Sequence, residues 1–230
     1  MKEYLKQQKK QFEDLLQCIT IDNHYQHNMD INYWDLLLYH VKFNPTYWKD
    51  KAALDVGCGC GRNLRNLLDL APFKRTDGVD ISGENANYSF KYLREHHPSA
   101  ACHTWENDGA TLEPARDETY DLVMSHQVFQ HISNYEVRFS LLKDCHRVLK
   151  KEGLLTIHFM DLADSSAYYE NSTKLQNVYI EDTSNVVDDL VKIGFDKSTI
   201  KTETTKRKQI NLLRDNMGHG PKEYYFTAIK

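Results

Sequence analysis

Ala53-Leu54-Asp55-Val56-Gly57-Cys58-Gly59-Cys60-Gly61 is the stretch on which the reading of this chain turns. An apolar segment runs straight into three alternating glycines, and Leu64, Leu67, Leu68 and Leu70 follow at helical spacing. The pattern predicts a buried strand, a tight turn and a helix. Without Cβ the turn reaches positive φ, and a ligand can lie against bare backbone. The helix start aims free N–H groups and the positive end of its dipole at such a ligand. A dinucleotide turn reads G-x-G-x-x-G. Here the spacing is G-x-G-x-G, with Arg62 in sixth place.

A second strand ends at Gly78-Val79-Asp80-Ile81-Ser82, nineteen positions after Gly61 by the difference in residue numbers. That separation suits a crossover helix that delivers a carboxylate to a ribose. Ser82 serves as the N-cap of the next helix, which leaves Asp80 for a ligand.

The glycine turn, with Asp55 two residues before it and Asp80 beyond, resembles motif I and the ribose-binding acid of the class I S-adenosylmethionine-dependent methyltransferases. The resemblance continues after the third strand, where Asn107-Asp108-Gly109-Ala110-Thr111-Leu112 holds an acid in the place of the adenine-amino acceptor. It continues again after the fourth, where Ser125-His126-Gln127-Val128-Phe129-Gln130-His131-Ile132 matches the motif IV region of small-molecule members. It covers residues 51–159 with motifs and the remainder weakly. One departure is Lys151-Glu152-Gly153 in place of Pro-Gly-Gly before strand five.

The implied fold is a three-layer α/β/α Rossmann-like domain, a seven-stranded mostly parallel sheet with an antiparallel last strand. The implied cofactor is S-adenosyl-L-methionine, with S-adenosyl-L-homocysteine as product and no metal. Its implied contacts are Asp55, Gly57, Cys58, Gly59, Gly61, Asp80, Ile81, Asp108, Gly109, Ser125 and His126.

The chain has 230 residues, enough for one large domain with additions. The alternation itself predicts strands over 51–56, 76–80, 101–106, 120–125 and 153–159, with helices between them. Ser133 with Glu136 reads as a capping box for the helix after strand four. A helix over 184–193 and strands over 197–206 and 223–229 complete the series. Residues 1–50 form a helical cap or lid, with helices over 1–18 and 31–41, and 51–230 the methyltransferase-like domain. Segments 161–180 and 207–221 are substrate-side insertions.

A net charge of −4 disfavours nucleic acid held by bulk charge. Five scattered cysteines without a C-x-x-C pair fit a reducing cytoplasm. No apolar run reaches a membrane span, and the N-terminus carries charges and no hydrophobic signal region.

Histidine near neutral pH is the natural base for an acceptor hydroxyl or amine, so His126 and His131 are the candidate catalytic residues. Tyr33, Trp34 and His158 are candidate substrate contacts, each with packing as the competing role. Lys197, Lys201, Lys206, Arg207, Lys208 and Arg214 suit an anionic acceptor, or a solvated face. No Asn/Asp-Pro-Pro-Tyr/Phe motif follows strand four, and Ser125 stands where metal-dependent members carry an acid. The expected function is methylation of a small molecule, on oxygen. The alternatives are an RNA or protein nitrogen acceptor, and a non-catalytic cofactor-binding module. The sequence names neither the acceptor nor the oligomeric state.

Overall fold

The structure, a computed structural model, describes residues 1–16, 45–206 and 222–230. The helix expected over 31–41, the 207–221 insertion, Tyr33 and Trp34 lie outside the described residues.

Helix α1 (Lys2–Leu16) precedes a short α2 (Pro45–Trp48). The alternation then runs β1 (Ala52–Val56), α3 (Arg62–Leu70), β2 (Arg75–Asp80), α4 (Gly83–His96), β3 (Cys102–Glu106), β4 (Tyr120–Ser125), α5 (Tyr135–Val148) and β5 (Leu149–Met160). Two two-residue strands, β6 (Ser165–Ser166) and β7 (Asn177–Val178), pair within the first insertion. Helix α6 (Ser184–Ile193), β8 (Lys201–Lys206) and β9 (Lys222–Ile229) complete the described chain.

The seven-stranded sheet has the order β3-β2-β1-β4-β5-β9-β8. Its first five strands are parallel, and β9 runs antiparallel to both β5 and β8. Strand order reverses between β1 and β4, and an open parallel sheet leaves a crevice outside such a switch point. The glycine turn after β1 and the loop after β4 flank it.

Ala53, Leu54, Asp55 and Val56 are all buried, as a strand covered on both faces requires. Leu64 and Leu67 bury the inner stripe of α3, each contributing about 1.5–3 kcal/mol over exposure. The main core collects side chains from β1, β4 and β5 with α5 and α6. A second cluster joins Trp48, Leu67, Leu122, Met124 and Tyr225.

Ser82 caps α4 as expected, its Oγ accepting from Asn85 N–H at 3.2 Å. The capping box at Ser133 does not form. Asn134 is the N-cap of α5, its Oδ1 accepting from Val137 N–H at 3.2 Å. Ser133 is taken by tertiary partners, since its Oγ donates to Lys174 O at 2.7 Å and its N–H donates to Tyr4 Oη at 2.9 Å. Ser and Asn cap about equally well, so these partners decide. The eighth strand begins later than expected, because Asp196 caps a 3₁₀ turn over Lys197–Thr199.

Candidate functional site

The carboxyl ends of β1 to β4 open into a cavity of about 250 Å³. Its walls are the 57–60 turn, Asp80 and Ile81, Asn107 and Gly109, and the 126–128 loop, while Gln8 and Phe12 of α1 cover it. Three fastenings hold α1 there. Tyr4 bonds Ser133, Gln8 Nε2 donates to His131 O at 3.1 Å, and Lys9 pairs with Glu106.

The turn uses its glycines differently. Gly57 (φ 75°) is approached so closely by the loop after β4 that a Cβ would fall 2.3 Å from Val128 Cγ2. Gly59 (φ 51°) lines the cavity, and a Cβ there would meet nothing within 4 Å. Space for a ligand therefore begins at Gly59. Gly61 serves helix packing, its Cα facing Ser89, and is outside the cavity lining.

Asp80 ties the turn to the tip of β2. Its Oδ2 accepts from Gly59 N–H at 2.8 Å, and its Oδ1 accepts from Ser82 N–H at 2.9 Å and Asn85 Nδ2 at 3.4 Å. An ionised carboxylate offers about four lone-pair sites, so with these three bonds made one place, on Oδ2, remains for a ligand hydroxyl. Burial raises the Asp80 carboxyl above its ordinary value, opposed by the Ser82 and Gly59 N–H groups.

Asp55 is fully buried, with Arg62 and Asn63 as its nearby polar neighbours. Burial pushes it up to about 7, Asp80 adds to this, and Arg62 and Asn63 oppose it. Burial also holds the Cys58 thiol well up and pushes Cys60 up to about 11, so neither offers a ready thiolate. No cluster of three or more metal-ligating side chains occurs among the described residues.

His126, just past β4, is buried and lines the cavity. Its ring stacks on His158 of β5, which is itself fully buried and outside the cavity lining. Behind His158 stand Tyr225, with centroids 4.7 Å apart, and Glu223, whose Oε1 lies 4.0 Å from His158 Nε2. Tyr225 Oη donates to Glu223 Oε2 at 3.1 Å. Ser125 also stays out of the cavity, its Oγ donating to Val56 O at 2.8 Å to tie β4 to β1.

His131 is separated from His126. The intervening 3₁₀ turn, Phe129–His131, carries it to a second, polar cavity of about 170 Å³ beside Asp164 and Asn177. Its Nδ1 lies 2.9 Å from Asn177 Oδ1, and Phe12 meets its ring edge-on at 5.9 Å. Burial lowers its pKa, opposed by the Asn177 bond.

Asp108 is exposed and lies outside the lining. Its Oδ1 accepts from Ala110 N–H at 2.9 Å, Thr111 N–H at 2.7 Å and Thr111 Oγ1 at 3.1 Å, the arrangement of a turn-forming aspartate.

The structure thus gathers Gly57, Cys58, Gly59, Asp80, Ile81, Gly109 and His126 around one cavity. It leaves Asp55, Gly61, Asp108, Ser125, His131 and His158 outside its lining. Arg62, Asn63, Asn85 and Asn107 join the wall unannounced, as do Gln8 and Phe12. The first two follow the glycine turn at once, which is the signal that locates them. Nothing local marks Gln8 and Phe12, because only the docking of α1 brings them to the site.

The cavity runs from the glycine turn past Asp80 to His126, room for an extended ligand. A family model described as a methyltransferase domain matches residues 54–157. The chain is 24% identical over 168 residues to phosphoethanolamine N-methyltransferase 2 of Caenorhabditis elegans, covering 72% of this chain and 37% of that protein. It is 28% identical over 134 residues to an uncharacterized methyltransferase-like protein of Schizosaccharomyces pombe, covering 58% and 48%. The chain spans less than half the length of these curated relatives. Its fold matches that of Haemonchus contortus phosphoethanolamine N-methyltransferase 2, solved with S-adenosyl-L-methionine, at TM-score 0.66 and 19% identity, over 95% of this chain and 60% of that one.

Proposed function

We propose that this chain, a member of the class I S-adenosylmethionine-dependent methyltransferase family through its residues 54–157, transfers a methyl group to the oxygen of a small-molecule acceptor. The observation that carries the reading is the roof over the site. Helix α1 is fastened across the cavity by Tyr4, Gln8 and Lys9, which suits an acceptor small enough to be enclosed.

The residues fit the cofactor. The turn's cradle at Gly59 admits backbone approach, Asp80 has one acceptor site left for a ribose hydroxyl, and the start of α3 brings Arg62 to the wall. When bound, S-adenosylmethionine supplies an electrophilic methyl on a good sulfonium leaving group. The protein's part is then alignment and proton management. His126, on the cavity wall, would accept the proton that the acceptor hydroxyl gives up on methylation.

A second reading takes nitrogen as the accepting atom, and the likeness to the nematode phosphoethanolamine N-methyltransferases favours it. An anionic acceptor belongs to both readings. No described helix is long and apolar enough to cross a membrane.

The test is label transfer from methyl-labelled S-adenosylmethionine into host-cell extract, divided into small-molecule, protein and RNA fractions. Label in the small-molecule fraction supports the proposal, and the product distinguishes oxygen from nitrogen. Label in protein or RNA overturns it. Cofactor binding without any transfer points to a non-catalytic module.

A further inference from the structure

Gln8 is almost wholly buried, 3% exposed, and lines the cofactor cavity from the roof. Its amide orientation follows from its neighbour. Nε2 must face His131 O, an obligate acceptor 3.1 Å away, so Oε1 faces the other way. That Oε1 is buried with no hydrogen-bond partner among the described residues. A buried amide oxygen left unsatisfied is destabilising, and a donor on a bound ligand would remove that cost.

The neighbours of Gln8 identify which donor. A Cβ on Gly109 would meet Ile81 Cδ1 at 2.6 Å and Leu5 Cδ2 at 3.1 Å, so α1 crosses the cavity where β2 and β3 end. Leu5 and Gln8, three apart, share that face of the helix. The ribose belongs at Asp80, and the base next to it belongs toward Asn107 and Gly109. The cofactor's hydroxyls are then at Asp80, and its amino-acid end, whose carboxylate suits the Arg62 guanidinium, lies at the far end by Arg62 and Asn63. The 6-amino group of adenine is the one donor left at this end. Asp108, to which the family resemblance assigns that group, is exposed and spends its Oδ1 on its own turn.

We propose that Gln8 Oε1 accepts a hydrogen bond from the adenine 6-amino group, so that the roof helix reads the base of the cofactor. The proposal rests on the reading of the cavity as an S-adenosylmethionine site. It makes α1 part of cofactor recognition as well as of enclosure.

The experiment is calorimetric titration of S-adenosylhomocysteine and of its analogue lacking the 6-amino group, into the full chain and four variants. The wild type is expected to prefer the amino ligand by about 3- to 10-fold. Gln8→Met should bind both alike, near the wild type's affinity for the analogue. Lys9→Met, which loosens α1 without touching the cavity, should weaken both ligands by the same factor and keep the preference. If Gln8→Met does not fold, Gln8→Glu retains an acceptor and should retain the preference; its loss there overturns the proposal. A wild type without preference, or a Gln8→Met variant that keeps it, also overturns the proposal. Loss of preference in Asp108→Ala with retention in Gln8→Met returns the role to Asp108. Failure of the wild type to bind either ligand refutes the cofactor site itself.

Discussion

The imidazole of His126 lies on that of His158 with ring centroids 4.2 Å apart and planes inclined by 18°. His126 meets the cavity, whereas His158 is fully buried against Tyr225 and near Glu223. His158 therefore packs the plane of His126, and in the proposed reaction it would act on an acceptor only through that ring. His126→Ala is expected to lower kcat by about 10²–10⁴ while cofactor affinity changes little, as loss of a general base does. His158→Phe keeps a flat partner and should cost far less. Steady-state transfer assays paired with calorimetry decide the matter. Lost affinity with preserved turnover would make His126 a binding residue, and an acceptor amine with a free lone pair would leave both variants active.

Asp80 is the last residue of β2 and Asp108 lies just beyond β3, and they stand differently to the cavity, which Asp80 lines and Asp108 does not. Asp80→Ala removes the ligand's acceptor and frees the N–H groups of Gly59 and Ser82, so cofactor affinity should fall by about 1–3 kcal/mol. Asp108→Ala should leave that affinity near wild type and lower thermal stability by about 1 kcal/mol, the usual scale for a lost side-chain cap. Calorimetry and melting curves on the two variants separate these patterns. A large affinity loss in Asp108→Ala would bring that residue back into the site.

The sheet was legible because its signals are local and repeated. The glycine turn, the Ser82 cap and the apolar frames of β1 and β4 each state their own structure. What escaped was settled by partners distant in sequence. Ser133 reads as a helix cap until Tyr4, 129 residues away, claims it. His126 and His131 read as one pair until the 3₁₀ turn between them sends each to a different cavity. Asp108 carries the family's pattern, yet the Asp-Gly turn satisfies it first. Gln8 is one glutamine on a polar helix, and only tertiary docking makes it a wall of the site.

Gly57 and Gly59 differ in what a methyl group would meet, so their alanine variants should fail differently. Gly57→Ala combines a left-handed backbone with a Cβ 2.3 Å from Val128 Cγ2, and should destabilise the fold by about 2–5 kcal/mol. Gly59→Ala carries only the backbone cost, about 1–2 kcal/mol, because its Cβ enters open space. That space belongs to the ligand, so its larger effect should be on cofactor affinity. Urea melts and calorimetry would show stability lost first at Gly57 and binding lost first at Gly59. The reverse order would mean that the cofactor does not run along Gly59.

Asp55 sets a pH dependence whose sign follows from its burial. Its carboxyl is pushed up to about 7 in the folded chain, against an ordinary value of 3.8. Between those values the folded state holds a proton that the unfolded chain has released. Stability from this residue is therefore fully present below about pH 4, falls as pH rises, and levels off above about 7. The loss amounts to a few kcal/mol, at 1.36 kcal/mol per pKa unit. Asp80, also raised by burial, adds a slope of the same sign, so the wild type alone does not isolate Asp55. The comparison with Asp55→Asn does, because the amide carries no titrating proton. Urea unfolding of the cofactor-free protein at pH 5 and pH 8 should show the wild type losing more stability than the variant across that interval. Parallel losses in the two proteins would mean that Asp55 is ionised in the fold, held by Arg62 and Asn63 more strongly than burial opposes it.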